Sequence, residues 1–246
     1  MYVWQTHLGT DAPFDTRYHT NPRTEIMSFI AEPPGTVLDI GCGGGATGRL
    51  VKDKFPGTRV VGIEINAGAA EHARGVLDRV VCAGVDDVDP ARDMPDERIS
   101  TVLLLDVLEH LYDPWRALQR IHGWLAPQTR VIASLPNIRN LATLSELAGG
   151  HFEYAENGVL DVTHVRFFTR ASLRDLFEQT GFEVRRITPL TQPAAVDRVV
   201  VHRRPGRLDT RTLSIRYRSF DDLEDLYALQ YVVDARAASL PAAVAA

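Results

Sequence analysis

With only 2 cysteines in 246 residues, the chain cannot carry a disulfide framework. Cys42 and Cys82 fall by pattern in a glycine-rich loop and a buried strand, and a reducing cytoplasm is the expected compartment. The chain also lacks any excess of positive charge: 27 Lys and Arg face 32 Asp and Glu, a formal net charge of −5. That balance offers no global electrostatic footprint for a phosphate backbone, so no nucleic-acid partner is expected. No stretch approaches the ~18 apolar residues of a membrane span, and the opening "MYVWQTHLGTDAPFDTRYHT" has neither a basic start nor an apolar run. The expectation is a soluble, unexported protein with no membrane partner. No His/Cys/carboxylate cluster shows metal-ligand spacing along the chain, and no metal is expected. The length is enough to bury a core without such staples.

From residue 36 onward, short β-branched runs alternate with helical patterns, the sequence form of stacked βα units and a mostly parallel sheet. "TVLDI" (36–40), "RVVGIEI" (59–65), "RVVCA" (79–83), "ISTVLLL" (99–105) and "RVIAS" (130–134) are strand candidates. Ala69, Ala70, Ala73, Val76 and Leu77 keep helical spacing, as do Trp115, Leu118, Ile121 and Leu125. Asp113–Pro114 reads as an N-cap with proline at the first helical position, and Asn21–Pro22 repeats the pair. Thr169 caps "RASLRDLFEQTG", with Gly181 as its stop. "FEVRRI" follows as a sixth strand. Of two candidates for a seventh, "DRVVVHR" and "LQYVVDARA", the second is favoured. The stretch 202–218 holds six Arg and one Asp, a local +5, and reads either as a solvated loop or as a lid for an anionic substrate.

"VLDIGCGGGATGRL" (37–50) packs five of the 18 glycines between Gly41 and Gly48. Strand, glycine turn and helix start place backbone N–H groups where open α/β sheets bind ligands. Gly41, Gly43 and Ala46 satisfy G-x-G-x-x-A, and Glu64 follows Gly43 by 21 residues, which passes the dinucleotide fingerprint on spacing. Asp39 speaks against a pyrophosphate. By strand alternation its carboxylate faces the crevice, and a like charge a few ångströms away is unfavourable by roughly 1 kcal/mol or more. S-adenosylmethionine, with an ammonium, a sulfonium and no phosphate, inverts that sign.

"VLDIGCGGG", "VVGIEIN" and "LLLDVLEHL" together resemble the successive signatures of the Rossmann-like, seven-stranded S-adenosylmethionine-dependent methyltransferases, over roughly residues 17 to 188. The resemblance implies an α/β fold: a doubly wound, mostly parallel seven-stranded sheet with an N-terminal helical arm and a C-terminal lid or tail. It divides the chain into an arm and helix at 1–35 that cover the cofactor and a methyltransferase domain at 36–246, with substrate-side insertions at 135–168 and 189–228. Carried over by position, Asp39, Gly41 and Gly43 hold the methionine part of the cofactor and Glu64 the ribose hydroxyls. Ile65 and Asn66 flank the adenosine. An acidic residue after strand three meets the adenine amino group in many members; here "CAGVDDVD" offers Asp86, with Asp87 as the alternative. Asp106 and Val107 line the far side of the cofactor. "YHTNPRTE" resembles an arm whose Tyr and Arg cover the cofactor carboxylate, which singles out Tyr18 and Arg23.

Methyl transfer from a sulfonium is an in-line displacement with a good leaving group, so alignment and exclusion of water are the main tasks. A hydroxyl acceptor adds the need for a base, for which histidine suits neutral pH. His110 in "DVLEHL" belongs at the carboxyl ends of the strands. His164 lies in "GVLDVTHVRFFT" (158–169), which with "SLPNIRN" and "GGHFEY" resembles methyltransferases of polysaccharide and natural-product gene clusters. Asp161 and His164 are expected to form an orienting pair for a substrate hydroxyl; the alternative is that Thr163 and His164 satisfy backbone groups while Phe167 and Phe168 seal the core. His151 and Tyr154 are candidates for the pocket wall, and Trp4 and Tyr2 for closing over an aromatic or sugar substrate. The expected function is O-methylation of a sugar or glycosylated metabolite, yielding S-adenosylhomocysteine. N-methylation of an amine or heterocycle, a nicotinamide-dependent oxidoreductase, and a catalytically silent binding subunit are the alternatives. A homodimer is compatible with the sequence.

Overall fold

The computed structural model describes residues 14–238. Seven strands form one sheet in the order β3-β2-β1-β4-β5-β10-β6: β1 Thr36–Ile40, β2 Arg59–Glu64, β3 Arg79–Cys82, β4 Ile99–Leu105, β5 Arg130–Pro136, β6 Phe182–Thr191 and β10 Ala228–Ala237. β1 to β5 pair in parallel, while β10 runs antiparallel to both β5 and β6. The favoured "LQYVVDARA" is thus the seventh strand. Chain order reverses between β1 and β4, which opens a crevice beyond their carboxyl ends.

The strands read as continuous apolar runs because both faces are covered. Leu38, Ile40, Val61, Leu104 and Val131 pack one core with Leu118, Ile121, Leu173 and Phe177; Val37, Val60, Leu103, Leu105 and Ile132 pack the other with Ile26, Ile30, Val51 and Leu77. The crossover helices include α2 Ala46–Lys54, α3 Ala67–Arg74, α5 Pro114–His122 and α7 Arg170–Gln179, with the short α1 Thr16–His19 before the sheet and α4 Pro90–Asp93 after β3. Asp113 accepts from the Arg116 amide at the start of α5, and Thr169 forms a capping box with Ser172. Gly181 ends α7 at φ +95°.

Several expectations are corrected. Asn21–Pro22 caps no α-helix; a 3-10 turn, Thr24–Ser28, follows with Arg23 at its cap position and no side-chain bond. α3 stops at Arg74, and Leu77 packs under the glycine loop instead of continuing the helix. β3 is an edge strand, so Cys82 is exposed and not buried. The basic stretch is neither loop nor free lid: β7 His202–Arg204, β8 Arg207–Asp209 and β9 Ser214–Arg216 form a small antiparallel sheet. Its Leu208 joins Leu141 of α6 (Leu141–Ala148), Val196 of α8 (Pro193–Asp197) and Leu226 of α9 (Phe220–Tyr227) in a separate apolar cluster. Arg203 pairs with Asp197 and Arg207 with Asp209, which spends part of that local charge inside the subassembly.

Candidate active site

At the tip of β1 the chain turns through Gly41 and Gly43, both in the left-handed region at φ +71° and +53°. A Cβ on Gly41 would lie 2.6 Å from Val107 Cγ2, and one on Gly43 would lie 2.6 Å from the His19 carbonyl oxygen. The loop is therefore pressed between the β4 tip and the N-terminal arm, which only glycine permits. The arm is hydrogen-bonded down: the Gly44 amide donates to the His19 carbonyl at 2.7 Å, and the Arg23 amide donates to Thr47 Oγ1 at 3.1 Å.

Asp39 lies beneath this loop, 2% exposed, and its Oδ2 has no hydrogen-bond partner. Burial, reinforced by the nearby Glu64 carboxylate, pushes its pKa up to about 7. Burial and these same two carboxylates push the Cys42 thiol far upward, so it is no nucleophile. Glu64 has the partners that Asp39 lacks: Oε2 accepts from the Gly43 amide at 2.9 Å and Oε1 from the Asn66 amide at 2.8 Å. Asn66 in turn caps α3 by accepting from the Ala69 amide. Ile65, beside it, is 56% exposed. A buried carboxylate with an unpartnered oxygen under a loop that excludes side chains fits a cationic nucleoside ligand and disfavours a phosphate.

Across the crevice, Asp106 adopts φ +54°, a conformation uncommon outside glycine. Its Oδ1 accepts from Ser134 Oγ and Gln230 Nε2, both at 3.0 Å, and Arg23 pairs with its Oδ2. Arg23 thus bridges the arm to the β4 tip, and Val107 meets Gly41. Asp86 is exposed in the turn after β3. Asp87 is exposed there too, but its Oδ2 and Ile65 Cδ1 flank the space over Gly84, 3.4 and 3.5 Å from its Cβ position. Trp4 and Tyr2 lie outside the described residues, as does the side chain of Tyr18.

The 3-10 turn Leu108–His110 and the segment 159–168 meet beyond the end of β4. The Glu109 carbonyl accepts from the amides of Val165 and Arg166, which docks that segment on the turn. His110 Nδ1 lies 3.0 Å from Thr163 Oγ1 and 3.3 Å from the Thr163 carbonyl, and Thr163 Oγ1 lies 2.6 Å from Asp161 Oδ1. The hydroxyl donates to the carboxylate, so His110 Nδ1 carries the proton and its Nε2 a lone pair. Asp161 therefore orients His110 through Thr163, not His164 as expected. His164 is held separately, Nδ1 donating to the Val159 carbonyl at 3.1 Å. The two rings meet edge to face, centroids 4.8 Å apart. Burial pushes the His110 pKa down to about 4 and also lowers that of His164, so both are neutral.

Phe168 is buried as expected, but Phe167 is 37% exposed and stands edge to face with Phe152, itself against Tyr154. His151 is exposed. Sequence reasoning missed Glu109, which is wholly buried with neither carboxylate oxygen partnered. Burial pushes its pKa up to about 8, and Arg23, the cation that acts on it, is engaged by Asp106 and Glu25. A lone Glu inside an apolar run, "LLLDVLEHL", was the available signal.

Residues 15–187 match the family model described as a methyltransferase domain. The chain belongs to that family. It is a class I, S-adenosylmethionine-dependent methyltransferase domain. It is 31% identical to a trans-aconitate 2-methyltransferase of Methylobacterium radiotolerans over 50% of this chain and 46% of that protein, and so spans about half the length of that relative. It is 28% identical to a ubiquinone biosynthesis O-methyltransferase of Pseudomonas paraeruginosa over 74% and 79% of the two chains. A solved S-adenosylmethionine-dependent methyltransferase of Archaeoglobus fulgidus shares the fold, with TM-score 0.59 at 19% identity over 86% of this chain and 91% of the other. In this methyltransferase domain the glycine loop, Asp39 and Glu64 gather at the tips of β1 and β2, and His110 and His164 beyond the end of β4.

Proposed function

We propose that the protein transfers the methyl group of S-adenosylmethionine to an oxygen of a small hydroxyl-bearing molecule, a sugar or glycosylated metabolite. The observation that carries this reading is the arrangement beyond the end of β4: Asp161 and Thr163 fix the tautomer of His110 and the Val159 carbonyl that of His164, so that two neighbouring rings each keep an unprotonated Nε2. Electron pairs held there serve an acceptor that must shed a proton, a need that a hydroxyl has and a neutral amine lacks at the moment of attack. The names of both relatives point to small acceptors, and one to oxygen. The half-exposed rings of Phe152, Tyr154 and Phe167 beside the 159–168 segment offer faces on which a sugar or aromatic ring stacks.

S-adenosylmethionine, when bound, supplies an electrophilic methyl on a leaving group that needs no protonation. Asp39, Gly41 and Gly43 would hold its methionine part, Glu64 the ribose and Asp87 the adenine edge. The residues of the chain position the acceptor oxygen and exclude water between the Gly41–Val107 contact and the docked 159–168 segment. Calorimetry with S-adenosylhomocysteine and with NADH, followed by a mass-shift assay on nucleotide sugars and phenols, tests this. Tight S-adenosylhomocysteine binding and methylation at oxygen are expected. NADH binding in its place, or methylation confined to amines, overturns the reading.

A further inference from the structure

Three potential electron-pair donors converge beyond the end of β4, and no hydrogen bond joins them. His164 Nε2 lies 3.9 Å from Glu109 Oε1, too far for a shared proton to make a hydrogen bond. One ligand atom from each of Glu109, His110 and His164 falls within 4.8 Å of the others. Both imidazoles have Nδ1 committed elsewhere, His110 to Thr163 and His164 to the Val159 carbonyl, so each keeps a bare Nε2, and that of His164 is the one nearest the carboxylate. Neither Glu109 oxygen has a partner, although the residue is wholly buried. A buried carboxyl with neither oxygen partnered is costly whether it holds its proton or releases it. A cation amid the three groups takes the place of that proton and satisfies them all.

We propose that Glu109, His110 and His164 form a binding site for a divalent first-row transition metal such as Zn²⁺, Mn²⁺ or Fe²⁺. Two imidazoles and one carboxylate suit these ions and not Mg²⁺ or Ca²⁺, which prefer all-oxygen sets. The Nδ1 bonds to backbone carbonyls, and the Asp161–Thr163 relay behind one of them, are the outer-sphere arrangement that fixes metal-bound histidines. Bonds of about 2.1 Å place tetrahedral ligand atoms about 3.4 Å apart, so small side-chain rotations close the cluster on an ion. The separation of the two histidines along the chain hides the grouping from spacing analysis: one sits in the β4 turn, the other in a segment that reaches it only after β5 and α6.

Three protein ligands leave coordination positions open. The role of such an ion rests on the O-methylation reading: with both Nε2 lone pairs taken up as ligands, the metal replaces them as the group that promotes proton loss, since an acceptor hydroxyl in an open position has its pKa lowered and loses its proton to solvent more readily. The site itself does not depend on that reading.

The test uses the full chain, stripped with a chelator and titrated with Co²⁺, followed by visible d–d absorption and by metal content after desalting. S-adenosylhomocysteine affinity is measured on the same samples. One retained equivalent is expected, with at least tenfold weaker binding in Glu109→Gln, His110→Ala and His164→Ala. The exposed-residue control His151→Ala is expected to keep it. Unchanged S-adenosylhomocysteine affinity in the variants shows that they fold. A wild-type protein that retains no metal, or variants that retain it undiminished, overturns the site. Metal binding without S-adenosylhomocysteine binding sinks the methyltransferase reading and leaves the site standing; the reverse result does the opposite.

Discussion

The tips of β1 and β4 each carry a buried carboxylate with an unpartnered oxygen, Asp39 in one and Glu109 in the other, yet the two are built differently. Around Asp39 everything is local. The glycine turn, Glu64 and the α3 cap lie on adjacent βα units and are tied by backbone amides. Around Glu109 the partners come from distant segments, and the bonds run between side chains and carbonyls of a docked loop. The first edge is shaped for a ligand whose class the fold dictates. The second is shaped by a long segment between β5 and α7 that docks on the β4 turn, and loops of that kind are where substrate choice commonly lies.

The largest expected effect lies at the first carboxylate. Asp39→Ala is predicted to weaken S-adenosylhomocysteine binding about 100-fold, close to 3 kcal/mol, as for the loss of one partner of a buried charge contact. Titration sharpens the point. With its folded pKa at about 7, Asp39 is protonated below neutrality and ionised above it. The ionised form attracts the ligand ammonium, so affinity is predicted to rise with pH between 5.5 and 7, by up to about tenfold per pH unit. Asp39→Asn flattens that slope, measured by calorimetry. In the unliganded protein the sign is opposite. Because the raised pKa leaves the folded state holding a proton that the unfolded chain has released, unfolding free energy falls as pH climbs from about 4 to 7. The Asp39 share of that loss is on the order of 4 kcal/mol and is removed in Asp39→Asn, while the share of Glu109, whose pKa is raised in the same direction, remains, as denaturant titration of the two proteins checks. A wild-type protein with no pH slope in either measurement breaks the claim that Asp39 is buried without a cation.

Next in size is the backbone fit of the same edge. Gly43→Ala adds a methyl group 2.6 Å from the His19 carbonyl at φ +53°, whereas Gly57→Ala, at φ +92°, meets nothing within 4 Å. The first is predicted to cost about 2 to 3 kcal/mol of stability and most of the cofactor affinity, the second only about 1 kcal/mol for the left-handed backbone. Equal losses would show that the arm does not close on the glycine loop.

The first edge was legible from sequence because each element is short-range. Strand, turn and cap signals are read within a dozen residues, and the sheet strands read as apolar runs because helices cover both faces. β10 was legible for the same reason. What escaped was set by edges and distances. Cys82 looked buried because nothing in "RVVCA" marks β3 as the last strand of the sheet. The 202–218 stretch looked irregular because three-residue strands are too short to show alternation. The resemblance of "GVLDVTHVRFFT" to one methyltransferase subgroup suggests an Asp161–His164 pair, while the fold routes Asp161 through Thr163 to a histidine on another loop.

That relay gives a smaller, kinetic prediction for the second edge. Thr163→Val removes the hydroxyl that fixes His110 Nδ1 and is predicted to lower kcat about tenfold, near 1.4 kcal/mol, while KM and S-adenosylhomocysteine affinity hold. Thr163→Ser is expected to restore most of the rate. If the valine variant turns over normally, His110 needs no orienting partner and the acceptor edge works by packing alone.

The smallest effect separates two neighbouring aspartates. Both follow β3, and sequence alone did not choose between them. Both are exposed, but Asp87 Oδ2 reaches the same spot over Gly84 as Ile65 Cδ1. A single partly solvated hydrogen bond to an adenine amino group contributes about 0.5 to 1 kcal/mol. Asp87→Asn is therefore predicted to weaken S-adenosylhomocysteine binding about threefold and Asp86→Asn not measurably. Inosine-ring analogues, which lack the amino group, should erase the difference between wild type and Asp87→Asn. If Asp86→Asn gives the larger loss instead, the turn after β3 closes on the ligand by a residue's register, and the cofactor edge is less preformed than its glycine loop.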